Sequence, residues 1–203
     1  MRRIGIRELL DSPSEIDSLA RILRGGGVAA IPTETFYGLA ADPASAAGVE
    51  RVAAIKRREM GKPLLVLFGE RGQLATLGIA ARPEALDRLF AVWPSALTVV
   101  LPLSAPIPAS RGALSLGVRM PAHDALRELL VRVGPVTGTS LNRSGETPCV
   151  HAGEVARLLE DEIEVLVDGG RTPGGLASTL LDATREPPVV LRQGAFRWSP
   201  DVL

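Results

Sequence analysis

The 203-residue chain is 46% hydrophobic and carries 23 basic against 23 acidic side chains, for a formal net charge of zero. That length and composition suit a globular fold with a real core, and the charge balance excludes a global pull toward nucleic acid or anionic lipid. A single cysteine and two histidines exclude an intrachain disulfide, a thiolate metal cluster and a three-histidine metal site.

The opening segment, Met1 to Arg7, has charge but no apolar stretch behind it, so it does not read as a secretory signal. No apolar run approaches membrane-spanning length, and a cytoplasmic setting with no membrane partner is the expectation. Ser14 to Arg24 has helical spacing of Ile16, Leu19, Ala20 and Leu23, with Gly25 as a stop. Val28 to Ile31 is a short apolar run suited to a buried strand, which stops at Pro32 and delivers Thr33-Glu34-Thr35 onto a loop. A strand end of this kind is a common ligand-holding position in α/β proteins. A second helix is predicted over Ala46 to Lys56, a strand over Leu64 to Phe68, and a helix around Pro83 to Ala91.

Leu97 to Leu101 and Leu114 to Met120 read as strands around a proline-rich loop, and residues 122–132 as a helix. Pro135 to Thr139 leads a strand into Ser140-Leu141-Asn142. A helix near Glu154 to Glu160 is followed by strands at Glu164 to Val167, Ser178 to Asp182 and Val189 to Arg192. Interleaved strands and helices, with later strands close together, predict an α/β fold: a single twisted sheet of mixed parallel and antiparallel strands with helices packed on it. No repeat or linker divides residues 1–203, so one domain is expected.

Several polar clusters stand at element ends, each with two readings. Lys56-Arg57-Arg58 closes a helix, where cations complement the macrodipole; in an extended continuation, Lys56 and Arg58 would share a face and suit a triphosphate. Ser140-Leu141-Asn142 alternates in the same way, Leu141 inward and the hydroxyl and amide outward, although serine and asparagine are also ordinary turn residues. Thr33, Glu34 and Thr35 fit a helix cap as well as a ligand loop. Arg119 follows an apolar strand and needs a carboxylate, a phosphate or solvent. The stretch from Asp168-Gly169-Gly170 to Ser178-Thr179 supplies backbone donors and hydroxyls for an anion, or is a plain glycine loop. Arg192 ends the last strand, as a site residue or a surface arginine. The triple glycine at 25–27 is not a Walker loop, and no dinucleotide, zincin or esterase motif is present.

In chain order, these pieces resemble the YrdC family of threonylcarbamoyl-adenylate synthases. The match runs through Gly27 to Gly38, Lys56-x-Arg58 with Pro63-Leu64-Leu65, and Trp93-Pro94-Ser95-Ala96-Leu97-Thr98. It continues through Gly117-Val118-Arg119-Met120-Pro121, Ser140-x-Asn142-x-Ser144-Gly145, Asp168-Gly169-Gly170 with Ser178-Thr179, and Arg192-x-Gly194-Ala195, covering residues 16–196. The resemblance implies a sheet curved around a concave cationic cavity, and an enzyme that makes threonylcarbamoyl-AMP and pyrophosphate from L-threonine, bicarbonate and ATP. The product would serve modification of the adenosine next to the tRNA anticodon, with tRNA or a downstream threonylcarbamoyl transferase as possible partners. By similarity, Lys56, Arg58 and Arg192 hold the phosphates, Ser140 and Asn142 lie beside the nucleotide, and magnesium binds through phosphate oxygens with no protein metal site. Thr33 and Arg119 would hold threonine, with Ser178 in the same cavity. The chain departs from the family pattern at Glu59, Leu67 and Ala177, where proline, histidine and glutamate are usual. It reads as a short form without a further C-terminal domain. Two other readings are a carbamoyl-adenylate enzyme with a different substrate and a double-stranded-RNA-binding module; aromatics at only 3% disfavour the latter.

Overall fold

A computed structural model of the chain describes residues 1–57, 61–142 and 147–199. In chain order it contains β1 (Arg2–Gly5), α1 (Ile6–Asp11), α2 (Pro13–Arg24), β2 (Ala29–Ile31), β3 (Gly38–Ala40), α3 (Ala46–Lys56), β4 (Val66–Leu67), α4 (Gln73–Thr76) and α5 (Pro83–Val92). These are followed by β5 (Leu97–Pro102), β6 (Ser115–Arg119), α6 (Asp124–Val133), β7 (Val136–Thr137), β8 (Thr139–Ser140), α7 (Ala152–Leu159), β9 (Val165–Asp168), β10 (Thr179–Asp182) and β11 (Val189–Arg192).

Side-chain caps set the starts of two of the helices. The Ser12 and Ser45 hydroxyls accept backbone N–H groups at the starts of α2 and α3. Gly25 closes α2, whereas α3 closes on Arg57 in the left-handed region, φ 47°. β1, α1, β3 and α4 lie outside the sequence expectation, because elements of three to six residues carry too few positions to display a period.

The strands are mixed parallel and antiparallel, as expected, but their hydrogen bonds form two sheets rather than one. The first has the order β1-β9-β2-β3-β8 and the second β11-β10-β5-β6-β4-β7. The chain passes from the second to the first at Gly138, between β7 and β8. There Gly138 N–H donates to Leu65 O at 2.9 Å, and Thr137 Oγ1 accepts from Ala41 N–H and donates to Leu39 O. A Cβ on Gly138 would stand 2.4 Å from Leu67 Cγ, so only glycine lets the chain cross here.

Alternation along the strands sorts the core. Ala30 and Leu166 face the larger cluster between the sheets, with Val99, Leu116, Phe68 and Trp93. Ala29, Ile31, Val165 and Val167 face α1, α2 and α6, whose Leu9, Leu19 and Leu126 cover the first sheet. Burial on both faces explains why β2 and β9 read as unbroken apolar runs. No helix among the described residues is long and apolar enough to cross a membrane.

β1 is tied to β9 by more than its ladder. Arg3 donates twice to Asp168 Oδ2, and Gly170 N–H donates to Asp168 Oδ1 at 2.8 Å. Partial burial pushes the Asp168 carboxyl up, but these bonds outweigh it and leave the group below the usual carboxylate range. A depressed folded-state pKa gives stability above the unfolded pKa that is lost as pH falls through the folded one. Asp168→Asn should therefore be less stable than wild type in urea at about pH 7, with the gap narrowing below about pH 4. A gap independent of pH would refute the linkage. Beside this pair Tyr37 OH donates to Gly170 O and accepts from Gly169 N–H. Burial pushes its pKa up to about 12, so it stays a neutral phenol.

Candidate active site

Where the inner faces of β5, β6 and β10 leave the core, their alternate residues line a cavity of about 750 Å³. Thr98 and Val100, Gly117 and Arg119, and Ser178 and Leu180 face it, while Val99, Val118 and Leu181 point into the core. The end of α3, the turn after β2, and β8 with Asn142 close it. Its described lining includes five cations, Lys56, Arg57, Lys62, Arg119 and Arg192, and no carboxylate. The described lining is cationic although the chain as a whole is neutral.

Lys56, Ser140 and Asn142 form one hydrogen-bonded group. The buried Lys56 ammonium donates to Ser140 O, and at 3.0 Å to both Asn142 O and Asn142 Oδ1. Ser140 Oγ donates to the same Oδ1 at 2.8 Å, and Leu141 between them is buried in the core. Lys56 thus binds the end of α3 to the segment after β8 and places a buried charge in the wall. Arg58, expected to act with it, lies outside the described residues.

Arg192 and Ser178 form a second group. Arg192 Nε and Nη2 both donate to Ser178 O, at 3.2 and 3.0 Å, and Ser178 Oγ lies 2.8 Å from Thr98 Oγ1. This pairing fixes the guanidinium plane at the cavity edge.

A third group joins the turn after β2 to β6. Thr33 Oγ1 accepts from the N–H groups of Thr35 and Phe36 and donates to Phe36 O at 2.8 Å, so Thr33 builds the turn as well as lining the cavity. Gly174 N–H clamps this turn by donating to Thr35 O at 2.7 Å. Arg119 is buried in the cavity wall, with Nη1 3.5 Å from Glu34 Oε1. Burial pushes the Arg119 pKa down; Glu34 opposes that shift, and Arg192 adds to it. Two guanidiniums repelling across the cavity favour an anion there.

The backbone donors of Gly169 and Gly170 are spent on Tyr37 and Asp168, so this part of the glycine loop builds structure. Of the lining residues, Arg57 and Thr98 stood inside segments quoted from sequence without a role of their own, and Lys62 was not named. For the two cations the signal was their closeness to Lys56; for Thr98 it was the alternation of β5. His123 caps α6, its Nδ1 accepting Leu126 N–H at 3.2 Å, and Cys149 is buried in the core, so neither is a nucleophile of this cavity. Among the described residues no group of three or more histidine, cysteine, aspartate or glutamate side chains could hold a metal ion.

Two adjoining sheets, and a cavity whose described lining holds buried cations and hydroxyls and no carboxylate, define an α/β protein with a site suited to anions. The chain belongs to the Sua5/YciO/YrdC family, described as telomere recombination, which matches residues 21–194. It is 37% identical over 198 residues to a Pyrococcus abyssi protein named threonylcarbamoyl-AMP synthase, covering 95% of this chain and 57% of that relative. The chain thus spans less than two thirds of that relative's length. The structure of Pyrococcus abyssi Sua5 complexed with L-threonine superposes with a TM-score of 0.81 at 34% identity, over 95% of this chain and 56% of that one. Escherichia coli YciO superposes with a TM-score of 0.81 at 25% identity, over 93% of each chain.

Proposed function

We propose that this chain makes threonylcarbamoyl-AMP and pyrophosphate from L-threonine, bicarbonate and ATP. The observation that carries the reading is one cavity holding both the Lys56–Ser140–Asn142 group and the Arg119 guanidinium, in a fold shared with a relative complexed with L-threonine. Lys56, Arg58 and Arg192 neutralise the phosphates, with Ser140 and Asn142 beside the nucleotide. Arg119 takes the amino-acid carboxylate, helped by the turn that Thr33 holds, and Ser178 lines the same space. A described lining without carboxylates fits magnesium that arrives on the phosphates of ATP rather than in a protein cage.

In the chemistry, the threonine amine bonds to the carbon of carbon dioxide derived from bicarbonate and loses a proton, giving a carbamate. A carbamate oxygen then attacks the α-phosphorus while its bond to the β-phosphate oxygen breaks and pyrophosphate leaves. Such a step needs alignment and charge neutralisation, and no protein nucleophile. The bonds that hold the Lys56 ammonium and the Arg192 guanidinium support this reading, because charges fixed beforehand need little reorganisation. The product is an activated donor for threonylcarbamoylation of tRNA, which assigns a tRNA-modifying transferase as the partner in the next step.

Purified protein should release pyrophosphate from ATP only when threonine and bicarbonate are both present. Equal release with carbamoyl phosphate in place of bicarbonate, or none under any of these conditions, would overturn the reading. Release with another amino acid but not threonine would retain the nucleotide site and reassign the substrate.

A further inference from the structure

The turn after β2 carries one acidic side chain, Glu34, which is no part of the cavity lining. Its side chain is 13% exposed and that of its partner Arg119 only 4%. At 3.5 Å the two are within ion-pair range but beyond a good N–H···O bond. Neither Glu34 oxygen accepts a hydrogen bond, and buried Arg119 Nε has no acceptor. A buried pair bonded this sparsely contributes little to stability, because desolvating both charges costs about what their attraction returns. It leaves Arg119 facing the cavity with donor capacity in hand. A fully bonded, bidentate pair would instead have saturated the guanidinium and closed it to a ligand.

We infer that Glu34 is a positioning residue: it holds Arg119 as a buried counter-ion without saturating it, so that the guanidinium can take the carboxylate of the amino-acid substrate. Its own position comes from the hydroxyl and backbone bonds of the turn, which Thr33 closes and Gly174 clamps. The inference rests on the assignment of Arg119 to that carboxylate. It extends the amino-acid side of the site to a residue that does not touch substrate.

The test compares wild type, Glu34→Gln, Glu34→Asp, Arg119→Lys and the Glu34→Gln/Arg119→Lys double variant, with KM for threonine, KM for ATP and kcat measured separately. Glu34→Gln should raise KM for threonine about tenfold or more, while kcat and KM for ATP stay within about threefold. Glu34→Asp, which keeps the charge, should recover part of the loss. Lysine has no planar fork for Glu34 to orient, so in the Arg119→Lys background Glu34→Gln should add less than about twofold. An unchanged threonine KM in Glu34→Gln, a loss shared equally with ATP, or effects that simply multiply in the double variant would overturn the inference. Calorimetric titration of L-threonine alone separates this from the proposed reaction. Binding weakened by Glu34→Gln supports the positioning role even if wild type releases no pyrophosphate; equal binding, or none to either protein, overturns it.

Discussion

Replacing Lys56 with alanine is expected to cut pyrophosphate release about 10²-fold or more, the scale seen when one preorganised charge-stabilising donor is deleted. Two losses combine. The cavity wall loses a buried positive charge, and the oxygens of Ser140 and Asn142 that accepted from the ammonium lose their donor. An unsatisfied buried acceptor costs roughly 1–3 kcal/mol, so the segment after β8 should also shift. Lys56→Met keeps the apolar stem and lacks the charge; it should share the lost donor but leave a smaller cavity than alanine, so it should be the more stable of the two variants and still be slow. Turnover near wild type in a folded Lys56→Ala protein would reduce Lys56 to a cation that complements the end of α3.

The second large effect is expected at Gly194, a buried residue after β11 that donates its N–H to Thr179 Oγ1 at 2.9 Å. A Cβ there would stand 2.1 Å from Ala177 O, 2.5 Å from Ser178 C and 2.6 Å from Thr179 N. All three contacts are backbone atoms of the segment that carries Ser178, so no side chain can swing aside. Gly194→Ala should destabilise the fold by about 3 kcal/mol and lower Tm by roughly 6–12 °C. Because Arg192 is held by Ser178 O, the same displacement should raise KM for ATP in the protein that remains folded. A Tm within about 2 °C of wild type would show that β10 and β11 can separate at no cost.

The longer helices were legible because their signals are local. Val49, Val52 and Ala53 on one face, and a cationic end, mark α3, which closes at Lys56 as expected. Leu141 is buried between Ser140 and Asn142, as the alternation of an extended segment required. The two-sheet arrangement was not legible. β7 and β8 are separated by Gly138 alone, and from sequence they read as one strand, Pro135 to Thr139. Which sheet each half joins depends on Leu67 and Leu65, some seventy residues earlier. β3 was missed for a similar reason: Gly38-Leu39-Ala40 becomes a strand only because β2 and β8 flank it with antiparallel partners.

The site divides along the same line. Residue types at element ends left two readings for each cluster; their ordered resemblance to the YrdC family is what selected Lys56, Arg119, Ser140, Asn142, Ser178 and Arg192, and all of them line one cavity. Such residues announce themselves because a charged or polar side chain after an apolar strand needs a partner wherever the strand ends. Who the partner is could be decided only by tertiary structure. Arg119 faces Glu34, the Lys56 ammonium is spent on oxygens 84 and 86 residues away, and the Arg192 fork rests on the carbonyl of Ser178. Hydrogen bonds and ion pairs act over about 3–4 Å in space and carry no signature of sequence separation. The sequence by itself thus determined which chemical groups this protein brings to its cavity. The folding of two sheets against each other decided which charges are held, which are balanced from behind, and which are left facing a ligand.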